Sequence, residues 1–154
     1  MATTFIDYKK EKGFWIPEIY MELTYEYILQ ALNSIRSNLS IREEVKEDIK
    51  FNTTGLAKGM LTLTWQSFLK GKKQESEMIY ILEETIKLLN AKEEFISVKE
   101  LNSYENKKEE VASSWPKPLR TSEIIKIVEA LMLMLKNEWN KPSNYAMEIN
   151  YSFV

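Results

Sequence analysis

Met21, Tyr25, Ile28, Leu32, Ile35 and Leu39 follow one another at spacings of four, three, four, three and four residues. On a helix with 3.6 residues per turn such positions share one face, so the run buries itself by lying against other apolar elements. No other pattern in the chain limits its fold as strongly. Pro17-Glu18 sets the start, because proline is tolerated at the first helical position and glutamate favours the positive end of the helix dipole. The helix is expected to end near Asn38.

Other segments read less uniformly. The first sixteen residues look extended or irregular. Ser40-Ile-Arg-Glu43 has capping-box spacing and predicts a short helix to about Phe51 that buries Ile41, Val45 and Ile49. Asn52 to Gly55 reads as a loop. Residues 59–68 carry two patterns. Leu61-Thr-Leu-Thr-Trp65-Gln alternates as a strand does, whereas Leu56, Met60, Leu63 and Ser67 trace a helical face. Helix is preferred, because Leu56-Ala-Lys and Phe68-Leu-Lys are good helix formers, and Gly55 and Gly59 would then share a face. Gln74 to Asn90 is a clear helix with Met78, Leu82, Thr85 and Leu89 on one side. Ser97-Val-Lys-Glu100 opens a short one through Leu101 and Tyr104. Ser113 to Leu119 is a loop with two prolines. Thr121 or Ser122 caps the most apolar helix, which is expected to end around Trp139 or Asn140. Tyr145, Met147, Ile149, Tyr151 and Phe153 alternate as in a strand, and a lone strand needs a partner, for which Thr3 to Tyr8 is the candidate. The expected fold is mainly α: a single domain over residues 1–154, with five or six helices packed around Met21–Leu39 and Ile124–Leu135, and a minor β-sheet formed by the N- and C-terminal segments.

Among 154 residues there is no His and no Cys, while 23 acidic side chains face 21 basic ones. Histidine is the commonest general base and metal ligand near neutral pH, so its absence removes most catalytic and metal sites. A carboxylate di-iron site would need Glu-x-x-His pairs. No phosphate-binding or dinucleotide fingerprint occurs, and no cofactor or metal is expected. Two routes stay open: a carboxylate acid–base pair and a Ser-Lys dyad. Zero Cys fits a reducing compartment. The first residues meet charge before any long apolar run. Ile124–Leu135, broken by Lys126 and Glu129, falls short of the roughly 20 residues that span a bilayer. The expected location is the cytoplasm, with no membrane partner. A formal net charge of −2 argues against nucleic acid as a partner.

The acids are placed along helices. Glu18, Glu22 and Glu26 lie four apart on the first helix, opposite its apolar stripe, and like charges at that spacing repel. They read either as a solvated face or as a docking strip for Lys and Arg of another protein. Glu43, Glu44, Glu47 and Asp48 alternate with Arg42, Lys46 and Lys50, which predicts surface salt bridges. Lys9–Lys12 and Lys70–Lys73 are short basic clusters. Of the aromatics, Tyr20, Tyr27 and Trp115 do not all fit core stripes, and Tyr and Trp dominate binding hot spots. Trp115 reads as a packing plug or an anchor.

Gly55-Leu-Ala-Lys-Gly-Met-Leu-Thr-Leu-Thr-Trp65, Ile96-Ser-Val-Lys-Glu-Leu-Asn102 and Trp115-Pro-Lys-Pro-Leu-Arg-Thr121 before an apolar helix resemble stretches of small bacterial immunity proteins, kept beside the genes for contact-dependent or polymorphic toxins. The resemblance covers about half the chain, from Gly55 to Leu135. It implies a non-catalytic cytosolic inhibitor, often acidic, that binds a cognate toxin domain; it carries over no fold and no binding residues. Such toxins are often nucleases with basic grooves. The expected partner is therefore a basic toxin domain, met by Glu18, Glu22 and Glu26 for steering and by Tyr20 or Tyr27 as the buried contact. The rival expectations are a small carboxylate-dependent hydrolase and a helical nucleic-acid accessory factor. The second of these needs the two lysine clusters to merge.

Overall fold

The computed structural model describes residues 2–9, 12–53, 61–104 and 115–151. Along the chain run β1 (Thr3–Asp7), β2 (Gly13–Pro17), α1 (Glu18–Ser34), α2 (Arg42–Thr53), a single 3-10 turn (Trp65–Ser67), α3 (Lys72–Asn90), β3 (Phe95–Ile96), α4 (Val98–Leu101), β4 (Leu119–Arg120) and α5 (Thr121–Leu135). Helices α1, α3 and α5 pack on one another, α2 lies against α1, and β2 meets the start of α1.

The architecture corrects the expected helical bundle with one sheet joining the chain's two ends. It is a small mixed α/β domain whose described strands form two separate two-stranded antiparallel sheets, β1–β2 and β3–β4. Thr3 stands opposite Pro17 and Asp7 opposite Gly13, so the N-terminal strand pairs with its immediate neighbour. Closing so short a loop costs far less chain entropy than recruiting a segment from the other end. Ile6, Phe14 and Ile16 point inward while Trp15 is exposed. Of the tail, Ala146 alone makes a bridge, parallel to Trp15. Residues 145–151 are not a strand, and 152–154 lie outside the described residues.

Helix α1 is the centre of the fold. The stripe predicted from spacing is buried, but so are Tyr20, Leu23, Thr24, Tyr27 and Ala31 on other sides. Thr24 meets this setting by donating its hydroxyl to the Tyr20 carbonyl at 2.8 Å. The helix stops at Ser34, four residues before the expected end. Arg42 explains the stop: its guanidinium donates to the carbonyls of Leu32, Ile35 and Ser37 at 2.8, 2.8 and 2.9 Å. Those carbonyls would otherwise be orphaned at a helix C-terminus. The salt bridges expected of Arg42 give way to this capping.

The predicted capping box at Ser40–Glu43 is replaced by a longer-range one. Ser40 donates its hydroxyl to Glu77 of α3 at 2.7 Å, and the backbone N–H groups of Ser40 and Ile41 reach the same carboxylate. The box at Ser97 forms by half: its hydroxyl accepts from the Glu100 N–H at 3.1 Å, while the Glu100 side chain turns elsewhere.

The preferred helix over residues 59–68 is not found where the chain is described; residues 54–60, including Gly55 and Gly59, lie outside it. Residues 61–64 are extended, with Leu61, Leu63 and Trp65 buried in alternation, so the period-two signal was the right one. Side chains satisfy this backbone in place of a ladder. Thr4 donates to the Leu61 carbonyl, Tyr25 to that of Thr62 at 3.0 Å, and the Thr62 N–H donates to Asn52 Oδ1 at 3.2 Å. Helix α5 ends at Leu135, short of Trp139, because Asn137 adopts a left-handed φ of 60°. Asparagine tolerates that conformation and the N–H groups of Asn137 and Glu138 bond back to Met134 and Leu133. Among the described residues no helix is long and apolar enough to cross a membrane.

Candidate functional site

The residues singled out on α1 lie mostly inside. Glu18 is 5% exposed, and its Oε2 accepts from the Leu61 N–H at 3.5 Å. Glu22 and Glu26 are half-buried, and neither lacks a partner within the molecule. Tyr20 packs against Trp115 and Tyr151, with ring centroids 5.9 and 6.4 Å away. Tyr27 is fully buried and donates its hydroxyl to Glu100 Oε2 at 2.6 Å. The two tyrosines thus belong to the core, and the three glutamates do not form an open strip. Trp115 is the packing plug: Asn102 bonds both its N–H and its carbonyl, at 2.7 and 3.0 Å.

A different acidic surface lies on α2. Glu43, Glu44, Glu47, Asp48 and Phe51 form one wall of a groove of about 960 Å³, and Thr64, Ser67, Phe68 and Lys70 form the other. Its position follows from the fold. Leu61, Leu63 and Trp65 drive the extended segment inward beside α2, which leaves the polar sides of both facing a common trough. Glu43, Glu44 and Glu47 are exposed, and among the described residues none of them forms an ion pair. The surface salt bridges expected along α2 are therefore missing there. Phe51 is 49% exposed.

Asp48 is buried beneath this trough. Its Oδ1 accepts from the Thr64 hydroxyl at 2.6 Å, the Thr64 N–H at 3.4 Å and Asn52 Nδ2 at 3.3 Å. Its Oδ2 has no hydrogen-bond partner among the described residues. Burial pushes the Asp48 carboxyl above its ordinary value of 3.8, and hydrogen bonding from Thr64, with Trp65 and Tyr25 nearby, opposes that rise without cancelling it. Sequence reasoning placed Asp48 among surface salt bridges. A signal was available: Asp48 and Asn52 fall in helical phase with Ile41, Val45 and Ile49, on the face that packs inward.

Three other carboxylates tie elements together. Glu75 accepts from the Tyr8 hydroxyl at 2.6 Å and pairs with Lys9 at 3.1 Å. Glu77 caps α2 as described. Glu100 accepts from Tyr27 and from Tyr104 at 3.1 Å, and pairs with Lys92 at 2.9 Å. Burial raises each carboxyl, but hydrogen bonds and neighbouring lysines outweigh it and hold all three below the ordinary 4.5. A folded pKa below the unfolded one stabilises fully above pH 4.5, and that contribution is lost as pH falls through the folded value. Asp7 and Asp48, held above 3.8 by burial, act oppositely and regain stability on protonation. Glu100→Gln is therefore expected to flatten the fall in urea midpoint between roughly pH 5 and pH 3. A slope identical to that of the parent chain would count against the Glu100 hub.

Lys9 pairs with Glu75 and Lys72 acts on the same carboxylate, while Lys73 acts on Glu77. The two lysine clusters approach each other, but carboxylates interrupt the patch. Among the described residues no group of three carboxylates could hold a metal ion. No family model matches this chain, and no curated protein or solved structure matches it.

Proposed function

We propose that this chain is a non-catalytic binding protein whose α2 groove grips a basic partner, and that the partner is a cognate bacterial toxin domain neutralised by direct binding. The observation that carries the binding reading is the groove itself: three exposed carboxylates without ion pairs among the described residues, beside Phe51 and Phe68. Unpaired charges of one sign steer an opposite surface and set its register, and aromatic side chains supply contact area. The toxin as partner rests on the sequence resemblance. In this reading the surface moves from the α1 glutamates to α2, because Glu18 is buried and Tyr20 and Tyr27 are core residues.

A carboxylate-dependent hydrolase needs a proton donor that touches substrate, with a second acid across the cleft. Asp48 is the acid with a raised pKa, yet it is 5% exposed, and the wall facing it offers Thr64, Ser67, Phe68 and Lys70. That favours binding over catalysis.

The test is charge reversal. Glu43→Lys, Glu44→Lys and Glu47→Lys together are expected to slow association with the protein encoded by the adjacent gene by about tenfold or more, and to weaken its salt dependence. Cells carrying the triple variant should lose protection against that protein, while the circular dichroism spectrum stays unchanged. Unaltered affinity and protection would sink the groove as the binding surface.

A further inference from the structure

We propose that the α2 groove receives an arginine side chain of its partner, with the guanidinium between Phe51 and Phe68 and its charge directed at Asp48. This rests on the groove being the partner-binding surface. Asp48 Oδ2 supplies the independent reason. It belongs to a carboxylate that is 5% exposed, and it has no hydrogen-bond partner among the described residues. Leaving a charged oxygen buried without a donor is unfavourable, and structures rarely do so without a ligand or a role. Its neighbours are already committed, since Thr64 and Asn52 donate to Oδ1 and the Tyr25 hydroxyl donates to the Thr62 carbonyl. A cation carrying N–H donors removes the defect; a neutral or anionic ligand does not.

The lining of the groove selects among cations. No three carboxylates in the described residues converge as a metal group, which points to an organic cation. Two phenylalanines line the groove with the acids. A flat, weakly hydrated guanidinium stacks on aromatic faces and donates in its own plane, so it can lie between rings and still reach carboxylates at its edge. A lysine ammonium is a compact and strongly hydrated point charge that loses more on entering an apolar slot. Glu44 and Glu47 on the rim add donor sites for the outer N–H groups and draw the cation in. Because Oδ2 is covered in the free protein, the groove floor must yield as the side chain enters. Occupancy therefore has a local spectroscopic signature.

The experiment uses the full chain, labelled with nitrogen-15, at low salt. Two capped pentapeptides serve as probes, with a central arginine or a central lysine between glycines. Amide shifts are expected to centre on Asp48, Phe51, Thr64 and Phe68, with the arginine peptide binding about fivefold more tightly than the lysine one. Asp48→Asn should weaken the arginine peptide about tenfold, and Glu47→Gln by about twofold. Thr64→Val, which keeps the carboxylate and removes the hydroxyl that bonds it, should retain arginine preference and guards against loss of fold in Asp48→Asn. Equal affinity for both peptides, or unchanged affinity in Asp48→Asn, overturns the arginine pocket but leaves the acidic groove as a docking surface. Absence of groove shifts with both peptides also overturns it, and the charge-reversal assay then decides separately whether the groove binds a partner at all.

Discussion

Tyr27→Ala is expected to lower the unfolding free energy by about 4 kcal/mol, a large fraction of what a domain of this size possesses. Tyr27 is fully buried within α1, the helix on which α2, α3 and α5 all pack. Truncation removes a large ring from a close-packed interior and leaves a cavity that the surrounding helices can only partly fill. It also takes the edge-on neighbour of Tyr104, 5.7 Å away between centroids, and the surface over which Lys92 lies at 5.3 Å. A second loss is polar. Burial pushes the Tyr104 hydroxyl up to about 12 and the Tyr27 hydroxyl higher still, so both stay protonated donors to Glu100. Tyr27→Phe isolates that part and is expected to cost about 1–2 kcal/mol, the range for a hydrogen bond to a charged group. Urea unfolding separates the two. If Tyr27→Ala instead keeps its midpoint and loses partner binding, Tyr27 is an interface residue after all.

Gly13→Ala is expected to cost about 3 kcal/mol, although it adds a single methyl group. Gly13 faces Asp7 where β2 crosses β1, and a Cβ there would stand 1.9 Å from the Ile6 carbonyl oxygen and 2.7 Å from the Asp7 Cα. These are backbone atoms of the paired strand, so no side chain can rotate away. The hairpin must open or shear, which disturbs Ile6, Phe14 and Ile16 in the core and the hydrogen bond from Trp139 Nε1 to the Gly13 carbonyl at 2.9 Å. Gly71 provides the contrast: a Cβ there meets a glutamine side-chain atom at 3.3 Å, which can move. Gly71→Ala should be mild by comparison in the same denaturation series. Equal effects at the two glycines would refute the clash argument.

Helices with one periodic face and a local start were legible: α3 and the first part of α1 appear close to where spacing placed them. Three features were not, each for a physical reason. The ends of α1 and α2 are governed by Arg42 and Glu77, whose hydrogen bonds reach across elements and leave no mark on local periodicity. Residues 61–65 alternate because buried and open sides alternate, yet they join no sheet; a period-two pattern reports two environments and not a partner strand. The acidic ridge on α1 failed as a surface because that helix is enclosed by other elements. Reading Glu18 as exposed assumed that polar residues mark the outside, whereas here the Leu61 N–H meets it inside.

The short contact between Trp15 and residues 145–147 has a consequence for self-association. On the side of β2 away from β1, the Trp15 N–H and carbonyl are taken by the Tyr145 carbonyl and the Met147 N–H, both at 2.9 Å. Trp139 takes the Gly13 carbonyl on the same side. The tail is thus a guard rail along a strand whose sequence, Phe14-Trp15-Ile16, is among the stickiest in the chain. Whenever it lifts, that strand offers unsatisfied main-chain groups beside exposed apolar rings, the combination from which intermolecular β-pairing grows. A stretch that looks like an idle terminus is what keeps neighbouring copies of this protein apart.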